Sequence, residues 1–280
     1  MQSQPIGVFD SGLGGLTMVK ELLKLLPGED IVYLGDTGRV PYGSRSRDTI
    51  TKYAKQDAAF LLEYDVKAMV VACNTVCSVA LDALKNTYEI PLYEVITAPA
   101  KAAVTSTKNG KIGIIGTAAT IRSKAYENAL SELDNHLTLS ATPCPLFVPL
   151  VEEGWIDTDN EAAIHIAKRY LSPLREKGID TLILGCTHYP LLRNVIAKVM
   201  GEGVTLIDSG VETAKVLKKD LQERNLFSDK TTGGKVEYFV TDTIDGFSKL
   251  ASQFLESDVS GMVKQVSLWN KSVSLKTKRF

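Results

Sequence analysis

LILGCTH, residues 182–188, decides how the chain is read. Three apolar residues run into a glycine, and Cys186, Thr187 and His188 follow without a gap. That is the pattern of a buried strand ending in reactive side chains. VVACNT, residues 70–75, repeats the device, with Cys73, Asn74 and Thr75 closing an apolar run. Val95 follows Cys73 at the same interval, 22 positions, at which Asp208 follows Cys186. Each interval holds one helical pattern and closes inside an apolar strand. IGVFDSG (6–12) and IGIIGTA (112–118) each open a half in the same way. The layout describes a duplicated α/β unit.

Outward from these landmarks, strand-length apolar runs alternate with helical periods. Strands are expected at 6–10, 30–36, 68–74, 90–96, 111–117, 180–186, 204–210 and 235–242. Helices are expected at 14–26, 49–64, 78–88, 123–133, 160–178, 191–200, 211–225 and 244–257. Near-continuous apolar strands between helices predict an α/β fold with mostly parallel sheets flanked by helices. Right-handed crossovers then bring the polar strand ends to one edge, where such sheets bind ligands.

Composition narrows the function class. The chain has 280 residues, 44% hydrophobic and 23% charged, ordinary values for a soluble globular protein. A formal net charge of -1 offers no global attraction to nucleic acid or to an anionic membrane. No apolar run is long enough to span a bilayer, and the N-terminus lacks a signal-peptide pattern. Four cysteines, at 73, 77, 144 and 186, are too few and too scattered for a disulfide scaffold. Reduced thiols in the cytoplasm are the expectation. CxxC is missing, and the only histidines are His136, His165 and His188, so no metal is expected. Cys77 and Cys144 read as packing residues. The basic segment at 271–280 reads as a solvated tail.

Two equivalent halves that face each other set Cys73 and Cys186 across one cleft. Like groups on opposite sides of a small ligand suit inversion at carbon, where one thiolate removes a proton and the opposing thiol donates one. Each thiol then needs a neighbouring base or a positive field. His188 and Asp10 are the candidates, and helix N-termini after ACNT and GCTH would bind a carboxylate and favour thiolate. DSGLGGLT (10–17) lacks the GK[ST] of a phosphate loop, and Thr17 stands where the third glycine of GxGxxG belongs. Its glycines suit a tight turn and close approach of backbone amides to a carboxylate ligand. VPYGSRS (40–46) offers a second such turn, with a phenol.

Taken together, VFDSGLGGLT, YLGDTGRVPYG, VVACNT and LILGCTHYPLL resemble the glutamate racemases of the aspartate/glutamate racemase superfamily. The order and spacing agree across nearly the whole chain. The resemblance implies an isomerase that needs no cofactor, interconverts L- and D-glutamate and supplies D-glutamate for peptidoglycan. It implies two similar α/β domains with the active site in the cleft between them, here 1–97 with 208–270, and 98–207. It makes Cys73 the base toward D-glutamate and Cys186 the base toward L-glutamate, assisted by Asp10 and His188. Ser11, Tyr42, Gly43, Asn74, Thr75, Thr117 and Thr187 would hold the substrate's charged groups, with Glu152 in a supporting acidic role. A homodimer is implied. The N-terminal extension of members activated by a cell-wall precursor has no counterpart here, so no such activation is expected.

Three other readings compete. An aspartate racemase would share the mechanism and change the substrate. A thiol hydrolase built on Cys186 and His188 would leave Cys73 without a role. A two-lobed amino-acid-binding protein would explain a cleft but not two matched cysteines.

Overall fold

The structure, a computed structural model, describes residues 2–268 apart from 256 and 260. The tail expected at 271–280 lies outside the described residues. In chain order the strands are β1 (Ile6–Asp10), β2 (Ile31–Gly35), β3 (Ala68–Val71), β4 (Leu92–Glu94), β5 (Lys111–Gly116), β6 (Thr138–Pro143), β7 (Thr181–Gly185), β8 (Thr205–Asp208), β9 (Val236–Val240) and β10 (Val263–Gln265). The helices are α1 (Leu16–Leu25), α2 (Arg47–Leu62), α3 (Asn74–Lys85), α4 (Thr97–Ser106), α5 (Ala118–Ser123), α6 (Ala125–Leu133), α7 (Phe147–Glu152), α8 (Glu161–Glu176), α9 (Arg193–Met200), α10 (Ser209–Glu223) and α11 (Ile244–Leu255).

These strands form two sheets flanked by helices, ordered β10-β9-β2-β1-β3-β4 and β6-β5-β7-β8, with every pairing parallel. β1, β2, β3 and β7 are buried along their whole length, which is why their sequences are continuous apolar runs and do not alternate. The repeat in the sequence is a repeat in topology. Within each half the order runs second, first, third, fourth strand: β2-β1-β3-β4, then β6-β5-β7-β8. In such sheets the binding crevice opens where the winding reverses, between the first and third strands. Those strand ends carry Asp10 and Cys73 in one half and Thr117 and Cys186 in the other. Register keeps them level, since Phe9 pairs with Val71 and Gly116 with Gly185.

Several elements escape the sequence periodicity. β6, TLSATP, is an edge strand whose one buried residue is the polar Ser140, so it carries almost no apolar signal. α4, TAPAKAAVTS, is built from small residues and has no apolar stripe to read. α7 spans six residues with a proline inside, and β10 is a three-residue edge strand. α4 leads from β4 toward the second sheet, while α10 returns from β8 and packs on both α1 and α4. Asp208 starts that return: its carboxylate accepts from the amides of Gly210 and Val211 at 2.8 and 3.2 Å, capping α10. Among the described residues no helix is long and apolar enough to cross a membrane.

Candidate active site

β3 stops at Val71, and Cys73 is the residue from which α3 springs. Its sulfur donates to the Ser11 hydroxyl at 3.4 Å. Burial pushes the Cys73 thiol up to about 12, reinforced by the Asp10 carboxylate, while Ser11 and the Val76 amide in the first turn of α3 act the other way. At neutral pH this thiol is therefore a proton carrier. Across the cleft, β7 ends at Gly185 and Cys186 follows. The Cys186 sulfur lies 4.0 Å from His188 Nδ1, and His188 Nε2 lies 3.1 Å from Glu152 Oε1. Burial alone would lower the imidazole, but Cys186, Glu152 and Asp10 outweigh it and raise His188 to about 10. The ring is an imidazolium at neutral pH, so a positive charge faces Cys186. The two thiols thus have opposite surroundings, one beside a carboxylate and one beside a cation.

The sequence led to the expectation of a helix start after each cysteine. α3 meets it. After Cys186 the chain first makes a 3-10 turn, Tyr189–Leu192, and α9 begins only at Arg193. A proline at position 190 fits the tighter turn, and His188 supplies the positive field in place of a helix end.

Both sulfurs border one cavity of about 40 Å³, lined also by Ser11, Tyr42, Gly43, Asn74, Thr75, Thr117, Thr187 and His188. At roughly 10–15 Å³ per water molecule, it holds about three waters, far too little for a nucleotide. A larger cavity of about 590 Å³ near Lys20, Arg193 and Phe254 holds neither thiol. Asp10 and Glu152 are not in the cavity wall. Asp10 is fully buried, and burial raises its carboxyl against the pull of His188 and the amides of Gly12 and Gly15. It accepts from the Gly12 amide at 3.0 Å and from the Thr187 hydroxyl at 3.4 Å.

The glycine loop differs from expectation in what its amides do. Gly12 and Gly15 serve the Asp10 carboxylate, not a ligand's. Gly14 has another reason: a Cβ there would lie 2.2 Å from Thr187 Oγ1 and 2.5 Å from His188 Nδ1. Gly14 is the glycine on which the second half closes, whereas a Cβ at Gly15 would stand 2.5 Å from Asp10 Cβ within the first half. Tyr42 lines the cavity, but the phenol expected of it is engaged elsewhere. Its ring is buried, and its hydroxyl is hydrogen-bonded to Asp36 and, at 3.0 Å, to Asp57, so the phenol is not free for a ligand. Gly43 closes the wall tightly, since a Cβ would stand 3.0 Å from Thr117 Cβ.

The remaining candidates form hydroxyl and amide clusters. Thr75 Oγ1 and Thr117 Oγ1 are 2.9 Å apart, and Thr117 also caps α5 by accepting from the Thr120 amide at 3.3 Å. Asn74 is oriented from outside the cavity: the Tyr126 hydroxyl donates to its Oδ1 at 2.6 Å, and its Nδ2 donates to Ser209 Oγ at 3.4 Å. Tyr126, Ser209, Thr120 and Asp36 were not singled out by sequence. Tyr126 and Ser209 act on Asn74 from 52 and 135 positions away, which leaves no local pattern to read, whereas Asp36 and Thr120 bond to near neighbours, Arg39 and Thr117, inside stretches whose polar residues have no distinctive spacing. Cys77 donates to the Val71 carbonyl at 3.1 Å and Cys144 to that of Thr142 at 3.7 Å, and both thiols are buried.

Residues 6–217 match the family described as Asp/Glu/Hydantoin racemase. A glutamate racemase of Geobacter metallireducens is 48% identical over 268 residues, 96% of this chain and 98% of its own length. The crystal structure of a glutamate racemase isoform from Bacillus anthracis superposes with a TM-score of 0.91 at 42% identity, covering 96% of this chain and 99% of the other. That of the Francisella tularensis glutamate racemase in complex with D-glutamate gives 0.89 at 39% identity, covering 97% and 100%.

Proposed function

The chain belongs to the Asp/Glu/hydantoin racemase family and is an isomerase of the racemase kind, and from that premise we propose that it interconverts L- and D-glutamate by two-thiol proton transfer. The observation that carries the mechanism is the pair of cysteines, 73 and 186, on one small cavity with oppositely charged neighbours. The substrate is inferred from the relatives: glutamate racemases match nearly the full chain, and one of them was crystallised with D-glutamate.

In the L-to-D direction Cys186, beside the His188 imidazolium, takes the α-proton, and protonated Cys73 delivers its own proton to the opposite face. The reverse reaction starts at Cys73, with Asp10 and Ser11 beside it. Each turnover moves one proton on and one off the carbon, so charge balances across the two sulfurs. Asn74, Thr75, Thr117 and Thr187 hold the substrate's charged groups with Ser11 and Gly43, and Tyr42 contributes as part of the wall. Glu152 keeps His188 charged from behind. No cofactor takes part. In this reading, residues 1–97 with 208–270 and residues 98–207 are the two domains that close on the substrate. The protein works in the cytoplasm as a homodimer and supplies D-glutamate for peptidoglycan.

The test is proton NMR of the purified protein with L-glutamate in D2O, following the α-proton alongside optical rotation. Loss of the signal with rotation decaying to zero supports the proposal. Activity on aspartate alone would keep the mechanism and replace the substrate. Silence with both would leave a two-lobed binding protein.

A further inference from the structure

Behind the Tyr42–Gly43 wall lies a buried charge cluster that the proton-transfer account does not use. Arg39 is 4% exposed, and Asp36 and Asp57 are fully buried. Arg39 Nε donates to the Asp36 carboxylate at 2.7 and 2.9 Å, Nη2 to Asp57 Oδ1 at 2.8 Å and Nη1 to Gln56 Oε1 at 2.5 Å. The guanidinium also lies 4.2 Å from the centre of the Tyr53 ring. Tyr42 closes the circuit by bonding both carboxylates. A phenol has one proton, so the second of these contacts is satisfied when Asp57 keeps its own, and burial together with Asp36 pushes the Asp57 carboxyl up.

This cluster joins three places at once. The Asp36 amide donates to the Asp10 carbonyl at 3.0 Å, which fixes the loop's start beside the β1 end. Asp36 Oδ1 accepts from Thr241 Oγ1 at 2.8 Å, and the same hydroxyl accepts from the Gly38 amide at 2.9 Å, pinning the loop to the end of β9. Asp57 and Gln56 sit on the buried face of α2. The loop they hold delivers Gly43 to within contact of Thr117 on the other sheet. A planar fork with five fixed donors suits this arrangement, and a lysine in its place could not bridge both acids and stack on the ring.

Resting on the glutamate reading above, we infer that Arg39 is a positioning residue: through Asp36, Asp57 and Tyr42 it sets where Tyr42–Gly43 stands against Thr117, and so the enzyme's affinity for its substrate. A wall that meets substrate and transition state alike is displaced at the expense of KM more than of kcat.

The experiment measures steady-state racemisation of both enantiomers by wild type, Arg39→Lys and Tyr42→Phe, on protein whose folded fraction is fixed by circular dichroism. The expected result is a KM raised about tenfold in Arg39→Lys and about threefold in Tyr42→Phe, with kcat per folded molecule changed less than KM. Tyr42→Phe leaves no buried charge unpaired, so it decides alone if Arg39→Lys does not fold. A merely structural role would lower the melting temperature and leave KM where it was. An unchanged KM in a folded variant, or a fall in kcat larger than the rise in KM, overturns the inference. A wild type silent on glutamate would instead overturn the proposed function, so the two failures are distinguishable.

Discussion

The Thr17 hydroxyl lies 3.0 Å from the backbone carbonyl of Thr187, a bond spanning 170 positions of sequence. The same hydroxyl reaches the Gly14 carbonyl at 2.8 Å, so the first turn of α1 is tied to the segment carrying Cys186 and His188. A hydroxyl has one proton to share between these two oxygens, and either bond draws the turn against the second half. This gives a reason for threonine where a dinucleotide-binding loop would have glycine.

Gly14→Ala tests how closely that seam is set. The added Cβ would overlap both the Thr187 hydroxyl and the His188 ring, neither of which can swing away without leaving its partners. Overpacking of this kind costs about 1–3 kcal/mol, and the displaced histidine should cost more in activity than in stability. Racemisation reduced at least about tenfold in a variant that still melts cooperatively is the expected outcome. Wild-type turnover would mean the segment tolerates movement.

Cys73→Ser and Cys186→Ser should each stop racemisation, with a fall of at least about a hundredfold, because a serine hydroxyl is a far poorer proton donor and acceptor near neutrality. Both residues are buried and the replacement is nearly isosteric, so the fold should survive. More than a few per cent of activity left in either variant would rule out a mechanism that needs both sulfurs.

The charge on His188 makes stability depend on pH. The folded protein holds that proton up to about 10, whereas an unfolded imidazole releases it near 6.5. Its contribution to stability is therefore complete below about pH 6.5 and is lost as pH rises through about 10. The melting temperature should fall between about pH 7 and 9, and fall less steeply in Glu152→Gln, which lacks the carboxylate 3.1 Å from Nε2. Parallel slopes for the two proteins would remove Glu152 from this role.

Tyr126→Phe probes the outer support of Asn74. The phenol's oxygen lies 2.6 Å from Asn74 Oδ1 and 2.8 Å from the Val95 carbonyl. Removing it should cost about 1 kcal/mol, or about 2–4 °C in melting temperature, and raise KM severalfold as the amide turns. An unaltered KM would show that Ser209 alone orients Asn74.

Much of this protein is legible in one dimension. Continuous apolar strands such as IVYLG and TLILG record burial on both faces of a parallel sheet, and the matched positions of Cys73 and Cys186 record a repeated topology. Both are local or periodic signals, and hydrophobic burial writes them directly into residue order. Edge strands and short or small-residue helices, β6 and α4 among them, bury too little to leave that mark.

What residue order leaves open is which partner each polar group takes. Tyr42 reads as a free phenol beside a glycine, yet its hydroxyl belongs to Asp36 and Asp57. Tyr126 reads as one more residue of a helix, yet it orients Asn74 from 52 positions away. The turn amides expected for a ligand serve Asp10. Sequence alone determined the fold class, the two thiols and the strand ends that carry them, because those follow from burial and spacing. Tertiary structure decided the electrostatic inequality of the thiols and the anchoring of the loop around Gly43. Charges and hydrogen bonds act through distances of a few ångströms, and chain folding sets those distances between residues the sequence keeps far apart.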